Sequence, residues 1–316
     1  GGSWLTALTS DLGAGRFDGA WLVQNFENLD PANTLWSKQY NLYANVDTEG
    51  PRYLQFEKYW GGHVFLNDVE MQYIVDNLFI GNKLSTAQLV TSDGVRIDLR
   101  NIRSPILVFC SYGDNITPPP QALGWITDLY RNDLDVLGHD QTIVYATHDS
   151  IGHLGIFVSG SVGRKEHQEF AANIDIIDVL PAGIHHMQID EHHDDAQEGE
   201  PASDAYLTRI RRSNIDEIRE IVRPDPESDR RFAAAARISE INLACYRSFV
   251  QPWVRAWVTT EGARSLEPLH PLRIGYELWS DRQPLAAAGQ KAAHHVRAHR
   301  QPVTEANPFL QLQTQF

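Results

Sequence analysis

The chain has 316 residues, of which 42% are hydrophobic and 22% charged, and its formal net charge is −14. An acidic balance excludes nucleic acid as the main partner, because phosphate binding needs a basic face. No apolar stretch approaches the ~18–20 residues of a membrane-spanning helix, so no membrane span is predicted. Cys110 and Cys245 are too few for a disulfide framework and predict a reducing compartment, the cytoplasm.

The first quarter of the sequence predicts helices rich in Trp and Tyr. Apolar residues recur there at helical spacing, with breaks at Gly13 and Gly15. The helical patterns cover 1–32, 34–43, 51–60 and 67–79. Two interpretations stay open for this region. The aromatic side chains pack in a core, or the helices form a cap over an active site and some aromatic residues line a substrate tunnel.

Two short apolar runs occupy the centre of the sequence. The run 106–109 ends at a turn that carries Asp114, and the run 143–146 leads into a loop that carries His153. Continuous apolar runs of this length are typical of parallel strands covered on both faces. The segment 122–130 between them has helical spacing, which completes a strand–helix–strand unit. We therefore expect an α/β fold with a parallel sheet.

The remainder of the chain predicts a mainly helical C-terminal extension. The segment 174–180 fits a strand or a short helix, 206–222 predicts a charged helix with a solvated face, and 232–258 is the longest helical pattern. Pro252 is expected to start a new segment or to kink that helix. The tail from residue 268 predicts an extended arm or a disordered end. We place an α/β domain at 1–170 and the extension at 171–316.

A histidine-rich segment lies near the start of this extension. His185, His186, His192 and His193 stand among carboxylates within 185–204. A flexible acidic loop accounts for this composition, and a divalent metal site is the alternative. The spacing fits no particular metal template, so no metal site and no cofactor are predicted.

Asp114 and His153 are the candidate catalytic residues. In α/β folds the working residues follow the C-terminal ends of strands, where loops converge. An aspartate there can hold an imidazole in one tautomer, and the histidine can then act as general base toward a Ser or Cys nucleophile. In α/β-hydrolases the chain order is nucleophile, acid, histidine, and an acid followed by His about 40 residues later fits the last two members.

The nucleophile of such a site is missing from the sequence. A Gly-x-Ser/Cys-x-Gly elbow is needed for the sharp strand-to-helix turn, and no such pattern occurs. Ser3 has Leu5 in place of the second glycine, Cys110 is interpreted as a core residue of the first strand, and Cys245 lies within a helical pattern.

Two stretches of the sequence resemble the acid and histidine segments of polyhydroxyalkanoate synthases. They are Pro105-Ile-Leu-Val-Phe-Cys-Ser-Tyr-Gly-Asp-Asn-Ile-Thr-Pro118 and Ser150-Ile-Gly-His-Leu-Gly-Ile156. The approach segment Val95-Arg-Ile-Asp-Leu-Arg-Asn-Ile102 is similar too. The likeness covers roughly residues 20–160. It is greatest to a branch of α/β-hydrolase-like proteins known as poly(3-hydroxyalkanoate) synthetases or as the domain of unknown function DUF3141.

The resemblance implies an acyltransferase that acts on hydroxyacyl-CoA thioesters through a Cys nucleophile. Asp114 and His153 match the acid and the base of that family. The matching Cys elbow would lie before Gly1, and the chain starts Gly1-Gly2-Ser3-Trp4 without an initiator Met. We therefore expect the C-terminal portion of a longer protein, inactive by itself. The alternatives are an ester hydrolase, or a non-catalytic protein of the same fold that binds a partner or a granule surface; a homo-oligomer is left open.

Overall fold

A computed structural model describes residues 2–192, 205–278, 280–301, 303–304 and 306–314. Within these ranges helices dominate, and six strands form two sheets. The helices are α1 (Ser3–Leu12), α2 (Ala20–Glu27), α3 (Lys38–Ala44), α4 (Glu49–Trp60), α5 (Asp68–Ile74), α6 (Pro119–Leu129), α7 (Asp133–Gly138), α8 (Gly155–Val158), α9 (Gly160–Val162), α10 (Gln168–Ala172), α11 (Ile174–Asp178), α12 (Ile215–Val222), α13 (Pro226–Cys245), α14 (Gln251–Trp257), α15 (Thr260–Leu266), α16 (Pro271–Leu278), α17 (Ala286–Ala298) and α18 (Pro308–Gln313). The strands are β1 (Arg16–Asp18), β2 (Phe65–Asn67), β3 (Ile106–Ser111), β4 (Thr142–His148), β5 (Gly183–His192) and β6 (Ala205–Arg212).

The chain divides into two compact units. Unit 1 comprises Gly1–Ser3 and Tyr73–Asn242, and unit 2 comprises Trp4–Gln72 and Leu243–Phe316. Each unit combines stretches from both sides of residue 170, where the sequence predicts a domain boundary.

Unit 1 is built on a four-stranded sheet in the order β3-β4-β5-β6. β3, β4 and β5 run parallel, and β6 pairs antiparallel with β5. Helices α6 and α7 connect β3 to β4, so the predicted strand–helix–strand unit is present and the broad prediction of a mixed α/β fold with a largely parallel sheet is confirmed.

Both faces of the sheet are covered by apolar side chains. One face packs Ile143 and Tyr145 of β4 against Leu123 and Ile126 of α6 and Ile218 of α12. The opposite face packs β4 and β5 against α11, through Val144, Ala146, Met187 and Ile177. Fully burying one such aliphatic side chain stabilises the fold by about 1.5–3 kcal/mol. Burial on both faces explains why β3 and β4 are continuous apolar runs instead of alternating ones.

The charged helix predicted for 206–222 is wrong in its first part, because Ala205–Arg212 forms β6 and only Ile215–Val222 is helical, as α12. In β6 the side chains alternate, and Ile210 stands opposite Met187 of β5. The three arginines at 209, 211 and 212 fit a charged helix equally well, so the local pattern did not separate the two structures. The segment Ile174–Asp178 is helical, as one of its two interpretations expects.

The histidine-rich segment is a strand as far as it is described. His185, His186 and His192 belong to β5, which corrects the prediction of a loop. His193 and the acidic residues of 193–204 lie outside the described residues. The tail is also more regular than expected, because α16, α17 and α18 form in the segment predicted to be an extended arm.

Unit 2 contains the predicted N-terminal helices and a small antiparallel sheet of β1 and β2. These two strands have three residues each, which is too short for a recognisable period. The buried carboxylate of Asp11 accepts hydrogen bonds from Tyr246 Oη, Gln251 Nε2 and Arg255 Nε, each at 2.7 Å. Asp11 thereby ties α1 to the segment around α14, the helix in which Pro252 occupies the first turn as predicted.

Core packing is the wrong interpretation for several aromatic residues of unit 2. Trp36, Tyr43 and Tyr59 are 74%, 77% and 75% exposed. The alternative of a cap with a substrate tunnel stays a prediction. Among the described residues, no helix combines the length and the apolar character needed to cross a bilayer.

Candidate functional site

The site is assembled where β3 and β4 end side by side. The pairing of the two strands continues past Ser111, since the amide of Tyr112 donates to the carbonyl of His148 at 2.8 Å. At the next residue the backbone of Gly113 passes so close to Ser150 that an added Cβ would lie 2.1 Å from the Ser150 carbonyl oxygen. Only glycine fits this approach, and it brings the turn after β3 against the loop after β4.

Asp114 is buried in this turn and its carboxylate accepts four hydrogen bonds. The amides of Ile116 and Thr117 donate to Oδ1 at 2.8 and 2.9 Å, and Thr117 Oγ1 donates to Oδ2 at 2.7 Å. His153 Nδ1 lies 2.9 Å from the same Oδ2. Burial alone would raise the pKa of Asp114, but these hydrogen bonds outweigh it and lower the pKa to about 2. The carboxylate is therefore ionised at neutral pH.

The ionised Asp114 decides the tautomer of His153. A carboxylate is only an acceptor, so the proton of a neutral imidazole must sit on Nδ1 and the lone pair on Nε2. The His153 side chain is partly exposed, whereas that of Asp114 has no exposed surface. Within the part of the chain that the structure describes, Nε2 makes no hydrogen bond. The imidazole is thus oriented with a free basic nitrogen, the state a general base requires.

Sequence reasoning missed two residues of this arrangement. Thr117 donates to Asp114 and lies 3.2 Å from His153 Nδ1 through its Oγ1. Its signal in the sequence is the Asp-x-x-Thr spacing, in which an aspartate accepts from amides two and three residues ahead. His148 Nδ1 likewise accepts from the amides of Ser150 and Ile151, at 3.1 and 3.2 Å, and so shapes the loop that carries His153.

A polar cavity of about 510 Å³ opens at the carboxyl ends of β4 and β5. His148, Lys165, Glu166 and Asp190 are among the residues that line it. The carboxylate of Glu166 is buried, and its Oε1 lies 4.0 Å from His148 Nε2. The cavity lies at the carboxyl edge of the sheet, which is the edge at which open α/β sheets generally bind their ligands.

Three of the residues considered as alternatives, Cys110, His185 and His186, are engaged elsewhere. Cys110 is buried in the core, as predicted, and this burial raises the pKa of its thiol to about 12. The buried His185 lies with its Nε2 2.9 Å from the Pro181 carbonyl oxygen, and His186 stacks on Tyr145. Across the described ranges, no group of three or more His, Cys, Asp or Glu side chains is arranged to hold a metal ion.

Fold and site together define a mixed α/β protein with a hydrogen-bonded Asp–His pair at the carboxyl edge of its sheet. The sequence matches, over residues 1–316, the family model described as "Protein of unknown function (DUF3141)". The chain belongs to this family, which confirms that part of the resemblance.

A curated relative is "Uncharacterized protein in ackA 5'region" from Rhizobium meliloti, 58% identical over 313 residues. The alignment covers 99% of this chain but 43% of that protein, so the chain spans less than half the length of the relative. No solved structure matches the chain.

Proposed function

We propose that Asp114 and His153 are the orienting acid and the general base of an acyl-transfer centre of the α/β-hydrolase type. The observation that carries the proposal is the 2.9 Å contact between Asp114 Oδ2 and His153 Nδ1. The buried carboxylate fixes the tautomer and stabilises the imidazolium that forms when Nε2 accepts a proton. In an Asp–His pair with a purely structural role, the histidine Nε2 could equally well be hydrogen-bonded inside the protein. The Nε2 of His153 has no hydrogen bond within the described residues, so it is available to accept a proton.

The proposed nucleophile is a Cys or Ser side chain supplied from outside these 316 residues. The elbow pattern is absent from the sequence, and the buried Cys110 has a thiol pKa of about 12, which leaves it protonated at neutral pH. The greater length of the Rhizobium meliloti relative supports a nucleophile elsewhere in a longer polypeptide. In that reaction His153 takes the proton of the nucleophile as the nucleophile attacks the acyl carbonyl, and the imidazolium returns that proton to the departing thiol or alcohol when the bond between the acyl carbon and the leaving group breaks.

The proposed substrates are hydroxyacyl-CoA thioesters, in a synthase-like transfer, with simple esters as the hydrolase alternative. This part rests on the resemblance of the two motif segments to polyhydroxyalkanoate synthases, which extends across the turn of Asp114 and the loop of His153. The Asp–His geometry supports acyl transfer as a class, and the resemblance supplies the acyl donor.

The test uses the longest gene product that carries this chain, with the isolated chain in parallel. Turnover is measured as release of CoA from 3-hydroxybutyryl-CoA and as hydrolysis of p-nitrophenyl butyrate. We expect His153→Gln and Asp114→Asn to lower turnover by about 10²–10⁴-fold, the usual contribution of a positioned base. His294→Gln and Asp178→Asn, two exposed residues away from the pair and from the polar cavity, are the matched controls and should keep full turnover. Undiminished turnover in both site variants would refute the assignment.

A second candidate function is that of a non-catalytic interaction protein. The observation that favours it is a row of exposed aromatic residues at intervals of four in the C-terminal part of the chain. Phe249, Trp253 and Trp257 are 73%, 70% and 83% exposed. Exposed aromatic side chains of this size are typical of contact surfaces for a protein partner or an apolar granule.

This alternative is tested by co-sedimentation with polyhydroxybutyrate granules. The wild-type chain is compared with a Phe249→Ser/Trp253→Ser/Trp257→Ser variant and, as a control, with a Leu285→Ser/Val296→Ser variant that alters two other exposed apolar residues. A surface function predicts loss of sedimentation in the aromatic variant alone. Equal sedimentation of all three proteins, or of none, would count against it.

A further inference from the structure

Unit 2 contains a cavity of about 910 Å³ that the proposed acyl-transfer site does not use. Residues of α3, α4 and α16 and of the segment before α3 line it. Leucine and aromatic side chains form much of the wall, namely Leu35, Leu54, Leu272, Tyr53, Trp60 and Tyr276. The volume lies in the range of small-molecule sites, which are mostly apolar with a few placed polar groups.

The polar part of the wall is a connected set of side chains. Lys38 Nζ lies 3.0 Å from Glu57 Oε1 and 3.9 Å from Glu27 Oε1. Tyr276 Oη donates to Glu57 Oε2 at 2.8 Å, and Trp60 Nε1 donates to Glu27 Oε1. The side chains of Lys38, Glu27 and Glu57 are largely removed from solvent. Burying charged groups in an apolar wall costs desolvation free energy unless other groups bind them, so any hydrogen-bonding position that stays unsatisfied is a potential contact for a ligand.

Several hydrogen-bonding positions in this set are unused. Glu57 Oε2 accepts from Tyr276, whereas the buried Glu57 Oε1 has the ion-pair contact with Lys38 but no hydrogen bond among the described residues. Glu27 accepts from Trp60 on Oε1 and receives nothing on Oε2 among the described residues. A lysine ammonium has three N–H donors, and the two carboxylates take at most two of those of Lys38. The wall therefore presents free acceptor oxygens beside a free donor.

The charges of the wall favour an uncharged ligand. Glu27 and Glu57 are balanced by Lys38 and by Lys58 at the rim. Burial by itself would lower the pKa of Lys38, but Glu57 and Glu27 raise it overall, so the ammonium keeps its charge and the balance holds at neutral pH. A charged ligand would lose its hydration without gaining a net opposite charge.

We propose that this cavity binds an uncharged, mainly apolar small molecule that carries a hydroxyl group. The hydroxyl donates to Glu27 Oε2 and accepts from Lys38 Nζ, because a hydroxyl oxygen can fill a donor and an acceptor position with one atom. The apolar body lies against the leucine and aromatic side chains of the wall. An ion-pair network that merely joined α3 to α4 would explain the Lys38–Glu57 contact, but it would require neither the cavity nor the free oxygen of Glu27.

The test compares three probes with the same eight-carbon chain: 1-octanol, octanoate and octylammonium. Binding to the full chain is measured by ligand-observed NMR titration. We expect 1-octanol to bind at least tenfold more tightly than either ion. Preferential binding of an ion, or no saturable binding of 1-octanol, would overturn the proposal.

A cavity-filling variant locates the site. Gly275 lies in α16, lines the cavity, and has no atom within 4 Å of the position of a Cβ. Gly275→Leu should place a side chain in the cavity without a clash and weaken 1-octanol binding at least tenfold. Gly289→Leu is the matched control, because Gly289 is also helical with open space around it but does not line the cavity. Equal binding by the two variants would show that the probe binds elsewhere.

Charge variants test the chemistry of the polar wall. Glu27→Gln removes one negative charge and the free acceptor, so 1-octanol should bind about tenfold more weakly and octanoate should become the preferred ion. Lys38→Met removes the positive charge, so octylammonium should become the preferred ion. Circular dichroism confirms that both variants are folded. If neither substitution changes the preference between the two ions, the charge balance of the wall does not select the ligand and the proposal fails.

Discussion

Replacing Asp114 by asparagine changes the charge of the site while keeping its shape. The side-chain oxygen of the substituted asparagine can still accept from the amides of Ile116 and Thr117. The other position becomes an NH₂ group that faces two donors, Thr117 Oγ1 and the protonated Nδ1 of His153. The imidazole must then move its proton to Nε2, because only an unprotonated Nδ1 can accept from the amide.

The cost follows from the lowered pKa of Asp114. A fall from 3.8 to about 2 corresponds to about 2 kcal/mol of folding free energy at neutral pH, at ~1.4 kcal/mol for each pKa unit. Because the folded pKa is the lower one, this stabilisation is complete well above pH 3.8 and is lost as the pH falls through about 2. About half of it remains near pH 3. Asparagine does not titrate, so the variant lacks the whole contribution at every pH.

The free energy of unfolding is measured by amide hydrogen exchange in increasing urea, followed in peptides of β3 and β4. The wild type is compared with Asp114→Asn and with Asp149→Asn, a control substitution at an exposed aspartate. We expect Asp114→Asn to lower the free energy of unfolding by about 2 kcal/mol at pH 7 and by about half as much near pH 3. Nitrogen-15 NMR of the imidazole should show Nδ1–H for His153 in the wild type and Nε2–H in the variant. A pH-independent difference, or an unchanged tautomer, would refute the role given to this carboxylate.

Three further outcomes are expected from the same region. Iodoacetamide at pH 8 should label the exposed Cys245 in the native protein but leave Cys110 unmodified, because burial raises the pKa of the Cys110 thiol to about 12. Labelling is measured by mass spectrometry, and equal labelling of the two cysteines would contradict this expectation. Gly113→Ala should destabilise unit 1 by about 1–3 kcal/mol in urea unfolding, since its Cβ would overlap Ser150, whereas Gly163→Ala has open space and should not. His148→Leu removes the acceptor of the Ser150 and Ile151 amides and should increase their hydrogen exchange. His148→Asn retains an acceptor and should restore their protection. Similar exchange in both variants would show that His148 does not hold these amides.

The correct predictions concern features that local sequence encodes. The runs at β3 and β4 are continuous and apolar because both faces of the sheet are buried, and the helix between them shows its own period. Asp114 and His153 could be paired from the sequence, since parallel strands bring their carboxyl ends to one edge. Their catalytic role stays a prediction, as does the acyl substrate.

The wrong predictions concern segments whose structure depends on distant partners. In β6 the apolar and polar residue types alternate only weakly along the sequence, although the burial of the side chains alternates. The segment becomes a strand because β5 offers it an edge with Met187 opposite Ile210. The histidines 185 and 186 suggested a loop by composition, yet their backbone completes the same sheet. Strand propensity reflects the packing that a segment meets, which a single local window does not contain.

By itself, the sequence determined the two central strands, the helix between them, the burial of Cys110, and the positions of Asp114 and His153 at the strand ends. These follow from short apolar runs and from turn residues, which act over a few positions along the chain. Only the tertiary structure decided that Thr117 and His148 support the Asp–His pair, and that Lys38, Glu27 and Glu57 meet at one cavity wall. Contacts of this kind join side chains from different elements, and their geometry is set by packing that no local pattern records.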